Sequence, residues 1–489
     1  MFSSFCRGVN SNRIGSWKIK HPFQSGVIAY TRWMPAFQSY SLIIGYSSEK
    51  YAFVIPSVFL VFSFICIIYT IFHFYLKTEL LSILAIICVF TIGGFGWLGF
   101  FSLESRKDPS CDYIKSYSSK FKTGWGNILL HCFLSLRSTL YSFPLIVSSI
   151  SCLITYVSSN KHSSSDTRIL KLSTILISLI YIVHKDIFLP SCLFMAFFFI
   201  ISYRNNLIII HDLISAFVLF ISVLFLQIVF SPSNVFPKYE PIWVHYSENG
   251  YFFAPFLFFI NSIGLYFVQF VISLFFIKDF SMRLFFVPSI VSLIYGLLFS
   301  YTNPYYNMCV IYPLWSIIAV SAIFSGAINI LRLIKDDEKR GAVFSLFTIV
   351  LFLNVFSGFL SIIKNINQTK EIQCWEHRDA SEWIKKHTTI NDVFISYYSP
   401  FELVSSITGR CLFSVDLKSS KNLLFGTNRF DIVRDLMINP NTTSNVAGIV
   451  KFYVESKEVP EPMHLKNFDQ EKWKRVFKND LISIYKILS

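Results

Sequence analysis

Apolar residues run along this chain in long blocks rather than in strict alternation. Ten blocks stand out, at about 52–75, 80–102, 139–158, 170–183, 187–203, 209–231, 252–277, 284–301, 310–332 and 342–363. Most approach the ~20 apolar residues that a helix needs to cross the hydrocarbon of a bilayer. The two blocks flanking His184-Lys185-Asp186 are short. They read as two spans or as one long broken helix, so the expected count is nine or ten. After Lys364 the texture changes. Residues 371–489 lose the long blocks and gain ordinary charge. Short β-rich runs at Val393-Phe394-Ile395, Cys411-Leu412-Phe413 and Ile482–Tyr485 alternate with helix-like stretches at Ala380–His387, Phe401–Thr408 and Arg429–Met437. Thr408-Gly409 has the form of a helix stop. Strands alternating with helices predict a small α/β domain. The fold class is thus an α-helical polytopic membrane protein with a C-terminal α/β domain. Its divisions are a polar segment at 1–50, a multi-pass domain at 51–363 and a soluble domain at 371–489.

Composition agrees. The chain is 53% hydrophobic and only 15% charged, where soluble proteins carry roughly 25% charge. The formal net charge of +14 fits loops that face anionic lipid, and no nucleic-acid motif accompanies it, so no nucleic-acid partner is expected. Most of the ten cysteines, such as Cys66, Cys88, Cys152 and Cys192, lie inside apolar blocks, where Cys packs as a small hydrophobe. No Cys/His spacing of the zinc kind is present. The first 50 residues carry Arg7, Arg13, Lys18, Lys20 and Arg32 and no apolar core of a signal peptide. Either the first span serves as its own insertion signal or a further span precedes Met1.

Ten spans would place 104–138, 232–251, 302–309 and the C-terminal domain on one face. The short basic loops, with Lys161, Arg168, Arg204, Lys278 and Arg340, fall on the other, which the positive-inside rule makes cytoplasmic. Two N-glycosylation sequons, at Asn367 and Asn441, lie on the face then expected to be luminal. The basic residues before position 51 run against this orientation. An endoplasmic-reticulum or other endomembrane location follows. Cys374 and Cys411, the only cysteines after Lys364, are then a candidate disulfide in an oxidising lumen, with two thiols as the alternative.

Candidate chemistry gathers between Gly93 and Arg137. A glycine-rich apolar end, Gly93-Gly94-Phe95-Gly96-Trp97, leads into a polar segment with Glu104, Asp108 and Asp112. The chain then returns to apolar sequence through Trp125, His131 and Arg137. A carboxylate there suits a general base or a divalent metal on a phosphate-linked substrate, and an Arg fork suits the phosphate itself. No cofactor is fixed; a divalent metal is compatible. The bland reading is an ordinary charged loop. His184 with Asp186, and His211 with Asp212, adjoin apolar blocks, where ionisable groups usually face a cavity or a partner. Gln227, Asn261 and Gln269 read as interhelical hydrogen bonders. Tyr305 and Asn307 fall in a polar, proline-containing break that reads as an aromatic interface belt or a lip for a sugar or isoprenoid.

These residues resemble the GT-C superfamily of membrane glycosyltransferases. The likeness rests on the Gly-Gly-Phe-Gly-Trp span and its polar loop, Trp125-Gly126-Asn127, Arg137-Ser138 with Pro144, His184 before an aromatic, Asn261–Gly264 and Asn303–Asn307. In the soluble part it continues with Glu382-Trp383-Ile384, Asp392–Ile395, Gly409-Arg410 and Arg429 with Asp431-Ile432. Each motif is short, though together they cover nearly the whole chain. The resemblance implies a polyprenyl-phosphate sugar donor, a luminal acceptor and an acidic residue in an early luminal loop. Glu104, Asp108 and Asp112 would then be catalytic. Trp125, His131, Arg137, His184, Tyr305 and Asn307 would bind substrate. The family's acid usually follows its first span, whereas His21-Pro22 through Pro35-Ala36-Phe37 is similar to sequence after such a loop. The family also tends to carry an acid in the break that here holds Tyr305-Tyr306. Either the catalytic acid lies at 104–112 or the chain lacks one. The rival classes are a lipid or solute transporter or scramblase, and a catalytically inactive membrane scaffold.

Overall fold

A computed structural model describes residues 34–45, 49–91, 137–159, 164–230, 238–239, 264–300, 304–367, 378–396, 403–414, 428–438, 448–456 and 472–488, with single residues 10, 241 and 446. The chain divides into two compact units, Ile55–Thr369 and a second comprising Met1–Val54 with Lys370–Ser489.

Among the described residues each of the ten apolar blocks overlaps a helix. After a short helix α1 (Met34–Ile44) come α2 (Glu49–Leu76), α3 (Glu79–Thr91), α4 (Arg137–Ser158), α5 (Ser164–Val183), α6 (Lys185–Arg204) and α7 (Ile210–Phe230). They are followed by α8 (Leu265–Leu274), α9 (Phe280–Leu298), α10 (Pro304–Leu333) and α11 (Asp337–Asn367). Among the described residues seven of these are long and apolar enough to cross a membrane; α3 and α8 are shorter apolar helices. α5 opens with the polar run Ser164-Ser165-Asp166-Thr167-Arg168, which lowers its hydropathy. The block pair around His184 is therefore two helices, not one.

α4, α6, α9 and α10 form the interior. α4 packs on α5, α5 on α7, α6 on α9 and α9 on α10, while α10 also meets α3 and α8. A single core runs through them and holds Phe143, Phe194, Phe285 and Trp315, all buried. The peripheral α7 and α11 turn Phe217, Phe225, Phe352 and Phe359 outward. Large apolar side chains on the outer surface of a helical bundle are what lipid contact requires. Small residues let the outer helices approach. A Cβ added at Gly358 of α11 would lie 1.9 Å from the Thr91 carbonyl oxygen of α3. A Cβ added at Gly326 of α10 would lie 2.7 Å from the Ser273 Cβ of α8. Amide side chains join the same helices: Asn354 Nδ2 donates to Gln269 Oε1 at 3.0 Å, and Gln227 Oε1 accepts from the Ile182 amide at 3.1 Å. Both glutamines thus make the interhelical bonds that the sequence predicts; Asn261 lies outside the described residues.

The second unit contains a mixed five-stranded sheet. In chain order its elements are α12 (Arg378–His387), β1 (Val393–Ser396), β2 (Cys411–Leu412), α13 (Asn428–Ile438), β3 (Phe452–Ser456), β4 (Trp473–Lys478) and β5 (Ile482–Ile487). The spatial order is β2-β1-β3-β5-β4; β1 runs parallel to β2 and β3, and β5 is antiparallel to both its neighbours. Alternation along each strand feeds two cores. Phe394, Phe452, Val454 and Ile484 pack under Ala380 and Ile384 of α12. Ile395, Tyr453, Trp473 and Ile487 pack against Val433 and Leu436 of α13. The stretch Phe401–Thr408, read from sequence as a helix, is a single π-helical turn at Leu403–Ile407. Gly409 ends it at φ +71°, a left-handed conformation that glycine adopts without strain. Arg410 is buried behind this turn, and its guanidinium donates to the Thr388 hydroxyl and carbonyl and to the Thr408 carbonyl. Beside it the Asp392 carboxylate is also buried. Burial alone would raise its pKa, but hydrogen bonds from the Lys451 ammonium at 2.6 Å and the Thr389 amide at 2.8 Å outweigh that and hold it below the usual carboxylate range. Cys411 is buried in β2, whereas Cys374, its candidate disulfide partner, lies outside the described residues.

Candidate functional site

Interhelical contacts fix which helix ends come together. Ser149 of α4 and Ser173 of α5 share a hydrogen bond at 2.7 Å, and both hydroxyls lie 3.9 Å from the Met195 sulfur of α6. Ser173 and Met195 are equidistant from His184 along the chain, so α5 and α6 form an antiparallel hairpin with His184 at its apex. Counting outward from Ser149 and Ser173 along two antiparallel helices brings Arg137, the first residue of α4, level with Lys185. Ser292 of α9 donates to the Pro190 carbonyl of α6 at 2.9 Å, and Phe285 stacks on Phe198. These pairs set α6 and α9 antiparallel and put Leu298 level with His184. Ser289 of α9 donates to the Leu314 carbonyl of α10, which places Tyr305 level with Leu298. Arg137, His184, Tyr305 and Asn307 therefore gather at one end of the bundle. The two-residue strand pairing Lys238↔Ser300 and Tyr239↔Phe299 lies at the same end.

Three ionisable groups in sequence form the centre of this end. His184 is wholly buried, and its Nε2 lies 3.7 Å from the Asp186 carboxylate, itself 8% exposed. Lys185 is buried too, with its ammonium 4.8 Å from the centre of the Tyr181 ring. The helix break causes this. The backbone of His184 is extended at φ −155°, between the last turn of α5 and the first turn of α6. Asp186 sits in that first turn, where the helix N-terminus favours an anion. A buried ammonium beside an aromatic face and a carboxylate is a charge of the sign that attracts an oxyanion. Lys185 was not among the residues that the sequence singled out. The signal that finds it is its position between two short apolar blocks.

Tyr305 and Asn307 do not lie in a loop. α10 begins at Pro304, so both occupy its first turn. Proline is favoured at that position, because its missing N–H has no helical partner there in any case. α10 thus begins inside the expected break, while its apolar stretch, Leu314–Leu333, agrees with the expected block at 310–332. Glu104, Asp108, Asp112, Trp125 and His131 lie outside the described residues. Of the sequons, Asn367 ends α11 and Asn441 is outside the described residues.

The second His–Asp pair is at the opposite end. Thr167 of α5 donates to the Asp212 carboxylate of α7 at 3.2 Å, and Ile182 meets Gln227 further along, so the two helices run parallel. His211 is 86% exposed. This pair ties two helix starts together and presents its imidazole to the surroundings. Among the described residues no cluster of three or more His, Cys, Asp or Glu is arranged to hold a metal ion.

No protein-family model matches the chain, and no curated protein matches it by sequence. Its fold does have relatives among solved structures. ArnT from Cupriavidus metallidurans, bound to undecaprenyl phosphate, superposes with a TM-score of 0.50 at 10% identity, over 99% of this chain and 92% of that one. An oligosaccharyltransferase from Archaeoglobus fulgidus is less similar. Its apo form gives a TM-score of 0.44 at 10% identity, over 93% of this chain and 68% of that one. Its complex with zinc and sulfate gives 0.47 at 10% identity, over 93% and 67%. The likeness to ArnT is one of fold: this chain shares the polytopic membrane fold of that protein.

Proposed function

We propose that this membrane protein of GT-C fold transfers a sugar from a polyprenyl-phosphate donor to a luminal acceptor, with inversion at the anomeric carbon. The observation that carries the reading is the convergence of Arg137 and His184-Lys185-Asp186 with the first turn of α10 at one end of the bundle. A likeness of fold to an ArnT bound to undecaprenyl phosphate supports it. In this reading Lys185 and Arg137 neutralise the donor phosphate, and His184, fixed by Asp186, lends a hydrogen bond. Trp125, His131, Tyr305 and Asn307 line the sugar and lipid. A carboxylate among Glu104, Asp108 and Asp112 takes the proton of the acceptor hydroxyl. As that oxygen bonds to the anomeric carbon, the bond from carbon to phosphate oxygen breaks and polyprenyl phosphate leaves. The C-terminal α/β unit is luminal, and the location is the endoplasmic reticulum or another endomembrane.

The test is reconstitution of the whole chain in liposomes with polyprenyl-phosphate sugars and a peptide or glycan acceptor. Transfer should be observed, and Asp108→Asn or Asp112→Asn should abolish it at unchanged abundance. Movement of the lipid between leaflets without transfer would establish the scramblase class instead. Neither transfer nor movement would leave the scaffold reading.

A further inference from the structure

One end of the C-terminal sheet carries an arrangement that the transfer reaction does not use. The starts of β1, β2, β3 and β4 and the finish of β5 all lie at this end. The Lys451 amide donates to the Val393 carbonyl, the Ile487 amide to the Lys451 carbonyl and the Leu488 amide to the Lys472 carbonyl. Two apolar side chains project from it, Ile449 at 50% and Leu488 at 41% exposure. Exposed large aliphatics are common singly, but here lysines share the same end of the sheet. Lys451 is exposed and Lys472 half-buried on the same rim. One row inward, Lys474 and Lys486 stand directly opposite each other on antiparallel strands, both exposed. Like charges in that register repel, a cost that a bound anion would relieve. The last turn of α12 adds Lys385, Lys386 and His387, and the Arg410 bonds to Thr388 pin that turn to the rim. Among the described residues the rim's own acid is Asp392, already held by Lys451; Glu382 sits a turn back on α12.

We infer that this rim binds the surface of a membrane rich in anionic lipid, its lysines meeting headgroup phosphates and Ile449 and Leu488 entering the boundary below them. Apolar tips beside lysines are the composition of an interfacial lipid-binding surface, and each basic residue near an anionic surface contributes about 1 kcal/mol. A bilayer is also within reach. Only residues 368–377 separate the apolar helix α11 from α12, no more than ~35 Å of extended chain. An acidic polypeptide would satisfy the lysines but gives no reason for the two bare aliphatic tips.

The test is hydrogen exchange on the full chain in nanodiscs, comparing zwitterionic lipid alone with zwitterionic plus anionic lipid. Amides at 448–452 and 486–488 should exchange about thirtyfold more slowly in the anionic discs, in line with two lysine contacts of about 1 kcal/mol each. Those around the far turn at 479–482 should not change. Raised salt should remove the difference, since the contacts are screened. Charge reversal at Lys474→Glu with Lys486→Glu should remove it too, while exchange in β1 and β3 shows the sheet intact; Ile449→Ser is a second variant that leaves every charge in place. Equal exchange in both lipids, or slowing that needs an added acidic polypeptide, would overturn the proposal.

Discussion

The two ends of the helical bundle carry similar pairs whose histidines sit in opposite circumstances, while both aspartates are buried. At one end His184 and Asp186 flank Lys185, and all three are buried at the apex of the α5–α6 hairpin. At the other, His211 is 86% exposed, and Asp212 is engaged with Thr167. By sequence alone both are His–Asp pairs beside apolar blocks. The difference arises from chain direction. A one-residue break between antiparallel helices turns the ionisable groups inward, whereas a helix start after a loop leaves the first side chain outside. Charge that remains buried at such a cost needs a reason, and the proposed reason at the His184 end is a phosphate.

Orientation gives an all-or-none way to sharpen this comparison. If the His184 end is luminal, the sequon at Asn441 receives a glycan when the full chain is made in microsomes, and an endoglycosidase shifts its mobility. No shift, with the C-terminal unit open to protease from the cytosolic side, reverses the two ends. Next in size is the buried cluster itself. Asp186→Ala leaves Lys185 and His184 without their carboxylate and should destabilise the chain by about 3–5 kcal/mol. That loss should appear as a lower midpoint of thermal unfolding in detergent. A loss below about 1 kcal/mol would mean that the cluster is wetter than its burial indicates. Thr167→Val at the other end removes one hydrogen bond to Asp212 and should cost about 1 kcal/mol, with no effect on transfer. His211→Ala is the smallest, within about 0.5 kcal/mol, as for other exposed positions.

Much of this fold is legible in the sequence because long apolar blocks have few alternatives in a bilayer. Among the described residues every one of the ten blocks contributes a helix, even where the His184 break left their number open. The C-terminal unit is read less completely. β4, Trp473-Lys474-Arg475-Val476-Phe477-Lys478, is an edge strand whose outward lysines and arginine hide the alternation. β3 was missed because Phe452-Tyr453-Val454 feeds cores on both faces and so shows no polar alternation. At the site, His184 and Arg137 are visible as ionisable groups at block boundaries. That they share one end with Tyr305 is not visible, since it depends on serine contacts far along each helix. Lys185 escaped notice because a lysine beside a helix end ordinarily reaches water.

The central claim is that the His184 end, and not the His211 end, holds the donor phosphate. The most direct measurement is sugar transfer from a polyprenyl-phosphate donor by the reconstituted chain and two variants, Lys185→Met and His211→Ala, at matched abundance. Lys185→Met keeps the length of the stem and removes the charge. It should lower transfer by roughly a hundredfold, as expected when a cation on a developing phosphate charge is lost, while His211→Ala transfers as the unchanged chain does. Equal activity in all three would contradict the assignment, and so would a loss confined to His211→Ala.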